Sequence, residues 1–562
     1  MIKEKIYKKI KEALQSLDIA KSNIIIQDPR NQQDVDYATN IAMLLSKELK
    51  KSPNDIASNI VDKIKSHDNG FFDDVSIAGP GFINFKVSAN EYLKNISLIV
   101  EQGSKYGRSE IGKGKNALIE FVSANPTGPL TIGHGRGAII GEFASTILDW
   151  NGYKVEREYY FNNAGRQMRV LSESVYARYQ DILNQDSSFP EDGYKGEYIY
   201  DIAKELKSTY SDQYANSNNQ DFIKDYSEKI IFEKIKETLK KIGITFDNFF
   251  NENQLYKNKE IYKVIDSLKD KKLIYEKDGA TWLKATELGL NQNRVLIKSS
   301  GEPTYRLPDI AYHKNKFERN YNIIVDVFGA DHLDAYPDVL GACEALGYDS
   351  SKVRVLVHQF VTVQENGKPI KMSTRKANFI SLDDLIDEVG SDVVKYFFAM
   401  RGMNSHLNFD LGLAKDESDQ NPVFYIQYAY ARAINILKKA NDDLSLEESF
   451  DYSLLNSKEE ILLTKSLLIF PDLIKKAGDS MEPQLIANYL MEIASNFHHY
   501  YAKHKVITDR KDLSIARLNL INAVRQVLYN GLSILNISKP KKCNKFISLP
   551  KQRIRQSNYI HY

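Results

Sequence analysis

Hydrophobic residues near the start of the chain recur first with the spacing of helices and then with that of short strands. The segment DYATNIAMLLSKELKK (36–51) carries one apolar helical face, formed by Ile41, Leu44, Leu45 and Leu49. SPNDIASNIVDKIK predicts a second helix, because Ser-Pro-Asn is typical of a helix start. VSIAGPGFINFKVS predicts two strands about a turn at 79–81. Residues 1–108 are therefore expected to form a small α+β domain.

From Asn116 the pattern changes to strand, helix and strand. ALIEFVSA predicts a short buried strand, HGRGAIIGEFASTILDWNGY a helix, and KVEREYYF a second strand. Two later apolar runs, NIIVDVFGA (322–330) and KVRVLVHQFVTV (352–363), predict further strands of the same sheet. Strands that alternate with helices indicate a parallel, doubly wound sheet, in which ligands bind at the carboxyl ends of the strands.

The remaining patterns complete a multidomain α/β fold class. A long polar stretch between about 165 and 300 predicts a helical insertion that ends in the strand-like GATWLKA and NRVLIKSS. From about 410 onward, long segments of helical periodicity predict an all-α bundle. We therefore expect an α+β domain at 1–108, a Rossmann-like catalytic domain at 109–410, a helical domain at 411–542 and a basic tail at 543–562. A chain of 562 residues is too long for one hydrophobic core.

Composition narrows the class of protein. With 42% hydrophobic and 27% charged residues, the chain is typical of soluble globular proteins rather than disordered or membrane proteins. The charged amphipathic start lacks the apolar centre of a signal peptide, and no 18 apolar residues run together, so a cytoplasmic protein without membrane contact is expected. The two cysteines, Cys343 and Cys543, provide neither a disulfide framework nor a zinc site.

Charge is balanced overall but uneven along the chain. The net charge of +2 argues neither for nor against a nucleic acid partner. From Leu513 to Tyr562, however, there are nine Lys and Arg residues and no acidic residue. This stretch could meet a polyanion. For its last 20 or so residues, a solvated tail is an equally good interpretation.

The segment SANPTGPLTIGHGRGA (123–138) joins the first predicted strand of the sheet to its helix. In such a turn, backbone N–H groups and the positive end of a helix can approach a phosphate. Gly133, Gly135 and Gly137 lack the Cβ atoms that would block this approach, and His134 can donate a hydrogen bond to a phosphate oxygen. Because turns need glycine in any case, a purely structural loop is the alternative.

A second loop, GKPIKMSTRKANF (367–379), follows the last predicted strand and is basic. Alone it could be a solvated surface loop. Together the two loops resemble the paired HIGH and KMSKS signatures of class I aminoacyl-tRNA synthetases, here TIGH (131–134) and KMSTR (371–375). Four further segments have sequences similar to those of bacterial-type arginyl-tRNA synthetases: YYFNNAGRQM, TYRLPDIAYH, VFGADH and NPVFYIQYAYAR. The resemblance covers nearly the whole chain apart from its last 20 or so residues.

The resemblance implies that arginine is activated with ATP, through an arginyl-adenylate, and then transferred to tRNA(Arg). It makes His134 and Lys371 the chief donors to the phosphates, with Thr131 beside them, and it implies Mg2+ on the ATP but no zinc. Further ATP-binding residues implied by the two motifs are Gly133, Gly135, Gly137, Lys368, Met372, Ser373 and Arg375.

An arginine side chain makes a separate demand, because its planar guanidinium is best bound by carboxylates. The resemblance implies a pocket formed by Glu120, Asn125, Glu252, Tyr305, Asp309 and Gln167. It assigns Asp309 and Glu252 to the guanidinium, Tyr305 to a wall of the pocket, and Glu120 with Asn125 to the α-amino end. Weaker candidates near the same strand ends are Asp331 and His332.

The sequence departs from both motifs. Thr131 stands where the first histidine of HIGH is usual, and Thr374 replaces the second lysine of KMSKS, so a positive charge is missing at each position. The resemblance suggests Lys113 or Lys115, just before the first strand of the sheet, as a source of the missing charge.

For the RNA, the resemblance assigns the N-terminal domain to the tRNA elbow and the helical domain to the anticodon. In NPVFYIQYAYAR, Tyr425, Tyr428, Tyr430 and Arg432 could contact splayed anticodon bases, although core packing is the alternative for at least two of the tyrosines. A monomer is expected. Two rival hypotheses stay open: a synthetase-derived RNA-binding protein that no longer activates an amino acid, and a related synthetase for a different amino acid.

Overall fold

The structure is a computed structural model, and it describes residues 2–19, 23–28, 35–163, 165–215, 220–365, 367–370, 380–440 and 449–541. The chain divides into two compact units. One comprises Met1–Tyr106, Arg432–Phe470 and Ile493–Val527, and the other comprises Gly107–Ala431, Pro471–Glu492 and Leu528–Tyr562. Every helix in the described part of the chain is too short or too polar to traverse a lipid bilayer.

The helices and strands up to residue 102 are α1 (Ile2–Ser16), β1 (Tyr37–Thr39), α2 (Ile41–Leu49), α3 (Pro53–Ser66), β2 (Phe72–Ala78), β3 (Phe82–Val87), α4 (Ala89–Leu93) and α5 (Ile96–Gln102). The predicted hairpin is present as β2 and β3, and the sheet has the antiparallel order β1-β3-β2. Ser52 caps α3 as its sequence predicts, because its hydroxyl accepts the Asp55 N–H at 3.1 Å.

The elements from residue 116 to 297 are β4 (Asn116–Glu120), α6 (Ile132–Trp150), β5 (Lys154–Phe161), α7 (Arg166–Ile182), α8 (Glu197–Tyr210), α9 (Gln220–Lys241), β6 (Asn248–Asn251), α10 (Asn253–Lys257), α11 (Glu260–Asp270), β7 (Ile274–Lys277), β8 (Ala280–Leu283) and β9 (Arg294–Ile297). The strand-like end of the predicted insertion forms a separate antiparallel sheet of order β7-β8-β9.

The remaining elements are α12 (Arg306–Glu318), β10 (Ile323–Gly329), α13 (Tyr336–Leu346), β11 (Val353–His358), β12 (Val361–Glu365), β13 (Lys368–Pro369), α14 (Leu382–Val389), α15 (Ser391–Ala399), β14 (Leu407–Asp410), α16 (Leu411–Lys415), α17 (Pro422–Lys439), α18 (Lys458–Leu468), α19 (Phe470–Ser480), α20 (Gln484–Lys503) and α21 (Lys511–Ile534). As predicted, the described chain beyond about 410 is helical.

The central sheet has five parallel strands in the order β11-β10-β4-β5-β6. In chain order, β4, β5 and β6 follow one another towards one edge of the sheet, whereas β10 and β11 lie on the other side of β4. This is the doubly wound arrangement. The order therefore reverses between β4 and β10. Ligands of such sheets bind outside the carboxyl ends of the strands at this point. The predicted fold class is confirmed.

Two details of the sheets differ from the sequence predictions. The run 352–363 was expected to form one strand, but it leaves the central sheet after His358, and β12 pairs instead with β13 and β14. The turn is held by Gln359 N–H, which donates to the Met403 carbonyl at 3.0 Å. The edge strand β6 lies within the predicted insertion, and its four residues are too few to show the hydrophobic pattern of a strand.

Within the first compact unit, α18 packs with the N-terminal residues. The Tyr106 hydroxyl donates to the Leu467 carbonyl at 3.2 Å, and Lys465 Nζ contacts Asp36 Oδ1 at 2.5 Å. Leu468 lies against the hydrophobic core of the N-terminal elements. This unit is thus assembled from residues at both ends of the sequence.

Candidate active site

The loop after β4 ends in a reciprocal cap on α6. The Thr131 hydroxyl accepts the His134 N–H at 3.4 Å, and His134 Nδ1 accepts the Thr131 N–H at 3.1 Å. Because Nδ1 accepts a hydrogen bond, the neutral imidazole carries its proton on Nε2. Burial lowers the pKa of His134 to about 4, and the nearby His358 acts in the same direction while Asp331 opposes it. At neutral pH, His134 is therefore an uncharged donor.

The three glycines of this helix start differ in their surroundings. A Cβ on Gly135 would lie 2.6 Å from Leu382 Cδ1, and one on Gly137 would lie 3.0 Å from His358 Nε2. Close packing against protein side chains is therefore a sufficient reason for these two glycines, and their contact with ATP stays a prediction. A Cβ on Gly133 would approach the Thr131 hydroxyl at 3.6 Å, an ordinary contact. A Cβ at Gly133 would therefore meet no steric obstacle among the described residues, and the phosphate contact of this glycine stays a prediction.

Strained backbone follows β4. Val122 and Ser123 have φ of 68° and 40°, in the left-handed region that β-branched residues rarely adopt. The Ser123 hydroxyl donates to Glu120 Oε1 at 2.8 Å and accepts the Tyr160 N–H at 3.1 Å. These contacts hold the strained turn in place beside Glu120. Strain of this kind is concentrated at functional sites.

The segment 371–379 lies outside the described residues, and with it Lys371, Met372, Ser373 and Arg375. The residues that follow it are described. Ser381 forms an antiparallel bridge with Thr131, and the Leu382 N–H donates to the Leu130 carbonyl at 2.8 Å. The chain therefore leaves this segment directly beside the start of α6. Before the segment, Lys368 is exposed on β13.

Two acids, Glu252 and Asp309, lie close enough for their charges to interact. Glu252 follows β6, is 5% exposed, and has its pKa raised to about 7 by burial and then by the charge of Asp309. Tyr160 and Tyr256 direct their hydroxyls at Glu252 and oppose this rise. The Tyr160 hydroxyl is buried but forms no well-aligned hydrogen bond with described residues. Two neighbouring carboxyl groups of this kind form a negatively charged site that suits a planar cation.

The other predicted pocket residues lie at three places. Asn125 Nδ2 donates to Gln167 Oε1 at 2.6 Å, so the structure brings these two side chains together. Tyr305 stands at the start of α12 and is 72% exposed, beside the turn that carries Asp309. Glu120 is buried and bonded to Lys316, a residue that the sequence did not single out.

The suggestion that Lys113 or Lys115 supplies a charge to the TIGH loop is wrong. Both precede the amino end of β4, whereas the loop follows its carboxyl end, and five strand residues span about 16 Å. Lys113 is paired with Glu110 at 2.9 Å, and the Lys115 ammonium lies 5.9 Å from the centre of the Tyr153 ring.

Comparisons with known proteins cover all three parts of this chain. Residues 95–396 match the family described as tRNA synthetases class I (R), catalytic domain, residues 3–87 match the arginyl tRNA synthetase N terminal domain, and residues 426–543 match the DALR anticodon binding domain. A protein of Desulfotalea psychrophila named arginine–tRNA ligase is 47% identical over 92% of this chain and 94% of its own length. The chain belongs to the arginyl-tRNA synthetase family.

Other members of the arginyl-tRNA synthetase family agree with this assignment. The arginine–tRNA ligase of Chlorobaculum parvum is 46% identical over 95% of this chain and 98% of its own length. The solved Thermus thermophilus arginyl-tRNA synthetase covers 96% of this chain and 100% of that chain with a TM-score of 0.75, and at 19% identity it supports the fold alone.

In this arginyl-tRNA synthetase fold, the candidate RNA-contacting residues of α17 differ in exposure. Tyr430 is 5% exposed and its ring lies 6.4 Å from that of Tyr529, so it is a core residue and the predicted base contact is corrected. Tyr425 and Tyr428 are half-buried. Arg432 contacts His498 Nδ1 at 2.8 Å and lies 4.9 Å from the centre of the Tyr501 ring.

Sequence reasoning missed Tyr160, Tyr256, Lys316 and His358. One signal was available for Lys316: it follows Asp309 by seven positions, which places both on one face of α12. Tyr160, Tyr256 and His358 carried no signal of their own. They become notable only because their strands or helices end at the same edge of the sheet.

Proposed function

We propose that the protein joins L-arginine to tRNA(Arg) in two steps, with arginyl-adenylate as the intermediate. One observation carries this proposal: Glu252, which interacts with Asp309, directly follows β6, and the helix start with Gly133 follows β4, so both lie beyond the carboxyl ends of strands of the same parallel sheet. An arginine held there by its guanidinium would be bound at the edge that receives a nucleotide phosphate. Both groups are needed for the first step.

In that step, an oxygen of the arginine carboxylate attacks the α-phosphorus of ATP and pyrophosphate leaves. The reaction asks for alignment and for donors to the phosphoryl oxygens rather than for covalent catalysis. The N–H groups at the start of α6 and the Nε2–H of His134 are such donors. Thr131 acts mainly through His134, since its hydroxyl and N–H both engage in the cap.

The segment 371–379 would supply the opposing cations, and Lys371 is the chief candidate. Support comes from the bridge between Thr131 and Ser381, which brings the chain two residues after this segment beside α6. Met372, Ser373 and Arg375 belong to the same proposed contact, with Lys368 at its entrance. ATP enters as its Mg2+ complex, because Mg2+ is usually held by substrate phosphates.

The protein would bind both ends of the amino acid, its guanidinium and its α-ammonium group. Glu252 and Asp309 bind the guanidinium, and Tyr305 covers it. Glu120 and Asn125, the latter oriented by Gln167, bind the α-ammonium group. Lysine and citrulline are rejected because the first lacks the planar fork and the second lacks the charge.

For the RNA we propose the division of labour expected from sequence. Residues 1–108 contact the tRNA elbow, and residues 411–542 contact the anticodon, with Arg432 and Tyr425 as candidate contacts. We further propose that the protein acts as a monomer in the cytoplasm. Light scattering of the purified protein, alone and with tRNA(Arg), tests the first of these two statements.

ATP–pyrophosphate exchange dependent on arginine tests the function. The assay is run with and without tRNA(Arg). Lysine, citrulline and cysteine are added as competitors at a tenfold excess over arginine, which offsets a difference in binding free energy of about 1.4 kcal/mol. We expect exchange with arginine that the three competitors do not inhibit. Absence of exchange in both conditions, with folded protein, would instead favour an RNA-binding protein that does not activate an amino acid. Exchange with another amino acid would favour a related synthetase.

A further inference from the structure

Three carboxylates form a row across the central sheet. In the strand register, Asp326 of β10 is paired with Glu120 of β4, and Glu120 is paired with Glu158 of β5. All three side chains are buried, with exposures of 0%, 4% and 0%. Neighbouring residues at one register of a parallel sheet point to the same face. Three buried negative charges therefore stand side by side and require counter-charges.

Helix α12 and the residue after it supply these counter-charges. Lys316 is fully buried and its Nζ donates to both Glu120 Oε2 and Asp326 Oδ1, the latter at 2.6 Å. Arg319 forms a two-pronged contact with Glu158, with nitrogen–oxygen distances of 2.6 and 2.7 Å. Two cations thus partner the three acids of the row, and Lys316 contacts two of the three.

His313 ties the same helix to both Asp326 and the arginine pocket. Its Nε2 lies 2.9 Å from Asp326 Oδ2, and its Nδ1 lies 2.9 Å from the carbonyl oxygen of Asp309. Both ring nitrogens therefore face oxygen atoms. Through Asp326, the contacts run from Asp309, at the guanidinium end of the proposed pocket, to Glu120 at its α-amino end.

We propose that Lys316 is a positioning residue for arginine activation: it holds the Glu120 side chain in the orientation that binds the α-ammonium group of the substrate. This inference rests on the proposed function. Lys316 touches no substrate itself, because it lies beneath the sheet edge with no exposed surface. Glu120 needs such a partner, since two neighbouring buried carboxylates repel each other unless a cation contacts both, and without it the Glu120 side chain would turn away. Its second oxygen is held by the Ser123 hydroxyl.

The test is the steady-state kinetics of arginine-dependent ATP–pyrophosphate exchange with Lys316→Met, which keeps the length of the side chain and removes its charge. We expect the KM for arginine to rise at least about tenfold, while kcat and the KM for ATP change less than about threefold. The matched control is Lys314→Met on the same helix. Lys314 pairs with Glu260 and Glu318 at 3.2 and 3.0 Å near the surface, and its loss should leave all three parameters within about twofold.

A substrate analogue separates positioning from a general loss of structure. 5-Guanidinopentanoate keeps the guanidinium and carboxylate of arginine but lacks the α-amino group. Its inhibition constant in the exchange assay should be the same for the Lys316→Met variant and the unchanged protein within about twofold, because Glu120 has no group to bind. A deformed pocket would weaken both ligands alike.

Removing a buried cation can also destabilise the protein, so a second variant is needed. Lys316→Met combined with Asp326→Asn removes one charge of each sign and should fold better, yet it should show the same raised KM for arginine. An unchanged or lower KM for arginine in folded variants would overturn the inference. So would equal weakening of arginine and the analogue, or unfolding of both variants, since either marks Lys316 as structural. Absence of exchange in the unchanged protein would instead refute the proposed function.

Discussion

Ser381, two positions after the segment 371–379, is bridged to Thr131 at the start of α6. Ser381 is itself an N-cap, because its hydroxyl accepts the Asp384 N–H at 3.0 Å and Asp384 Oδ2 accepts the Ser381 N–H at 3.0 Å. One residue thus starts α14 and joins the chain after the proposed phosphate-binding segment to Thr131, which caps α6. This double role makes the position testable.

Ser381→Ala should cost about 1 kcal/mol of stability through the lost cap, and it should also slow exchange. The physical reason for the slower rate is that the chain after the segment 371–379 is held less firmly beside α6. Thermal unfolding and the exchange rate at 25 °C are the two measurements. Ser457→Ala is a matched control, because Ser457 forms the same reciprocal cap with Glu460 on α18, which carries none of the candidate site residues. This role of Ser381 is refuted if both variants exchange at the rate of the unchanged protein.

Arginine affinity should depend on pH through Glu252. In the empty pocket its pKa is raised to about 7, whereas a guanidinium keeps its charge throughout this range. Below about pH 7 the carboxyl group is therefore increasingly protonated, and arginine must displace that proton. The dissociation constant should rise as the pH falls from 8 to 6, by up to about tenfold per unit at the acid end.

Titration calorimetry at pH 6, 7 and 8 in buffers of different ionisation enthalpy measures both the affinity and the protons released. We expect release of protons on binding at pH 6 that vanishes at pH 8. In Glu252→Gln the affinity should be weaker and should lose this pH dependence. An equally steep pH dependence in that variant would assign the proton to another group.

Asp309→Ala should abolish measurable arginine binding while ATP still binds. A carboxylate paired with a desolvated guanidinium contributes about 2–5 kcal/mol, so the KM for arginine should rise at least about thirtyfold. Glu318→Ala on the same helix serves as the control, because Glu318 is exposed and pairs with Lys314. Equal arginine affinity in the Asp309 variant would remove this residue from the pocket.

Two glycines of α6 should respond oppositely to alanine. A Cβ on Gly141 would lie 2.1 Å from Phe121 Cγ and 2.4 Å from its Cβ, and Phe121 is buried directly after β4. Gly141→Ala should therefore cost about 1–3 kcal/mol through overpacking, seen as a lower unfolding temperature. Gly133→Ala should fold normally but raise the KM for ATP about tenfold, which corresponds to about 1.4 kcal/mol. A Gly133 variant with unchanged ATP kinetics would argue against phosphate binding at this backbone face.

The local parts of the site were predictable because each is encoded within a few neighbouring residues. The strand, glycine-rich turn and helix around TIGH appear in the structure as β4, the loop and α6. The resemblance also named Glu252 and Asp309, which lie close enough for one charge to raise the pKa of the other. Their assignment to the guanidinium, and the KMSTR segment, stay predictions.

The sequence by itself determined the class of fold, the family and the loops that carry its motifs, since periodicity and short motifs are local properties of the chain. Only the tertiary structure decided that Lys316 meets Glu120, 196 positions away, and that Gly135 packs on Leu382. Such pairs depend on the register of β10 against β4 and on which face of a helix is buried. A shift of one residue in that register would turn the row of acids to the opposite face, and no local pattern fixes it.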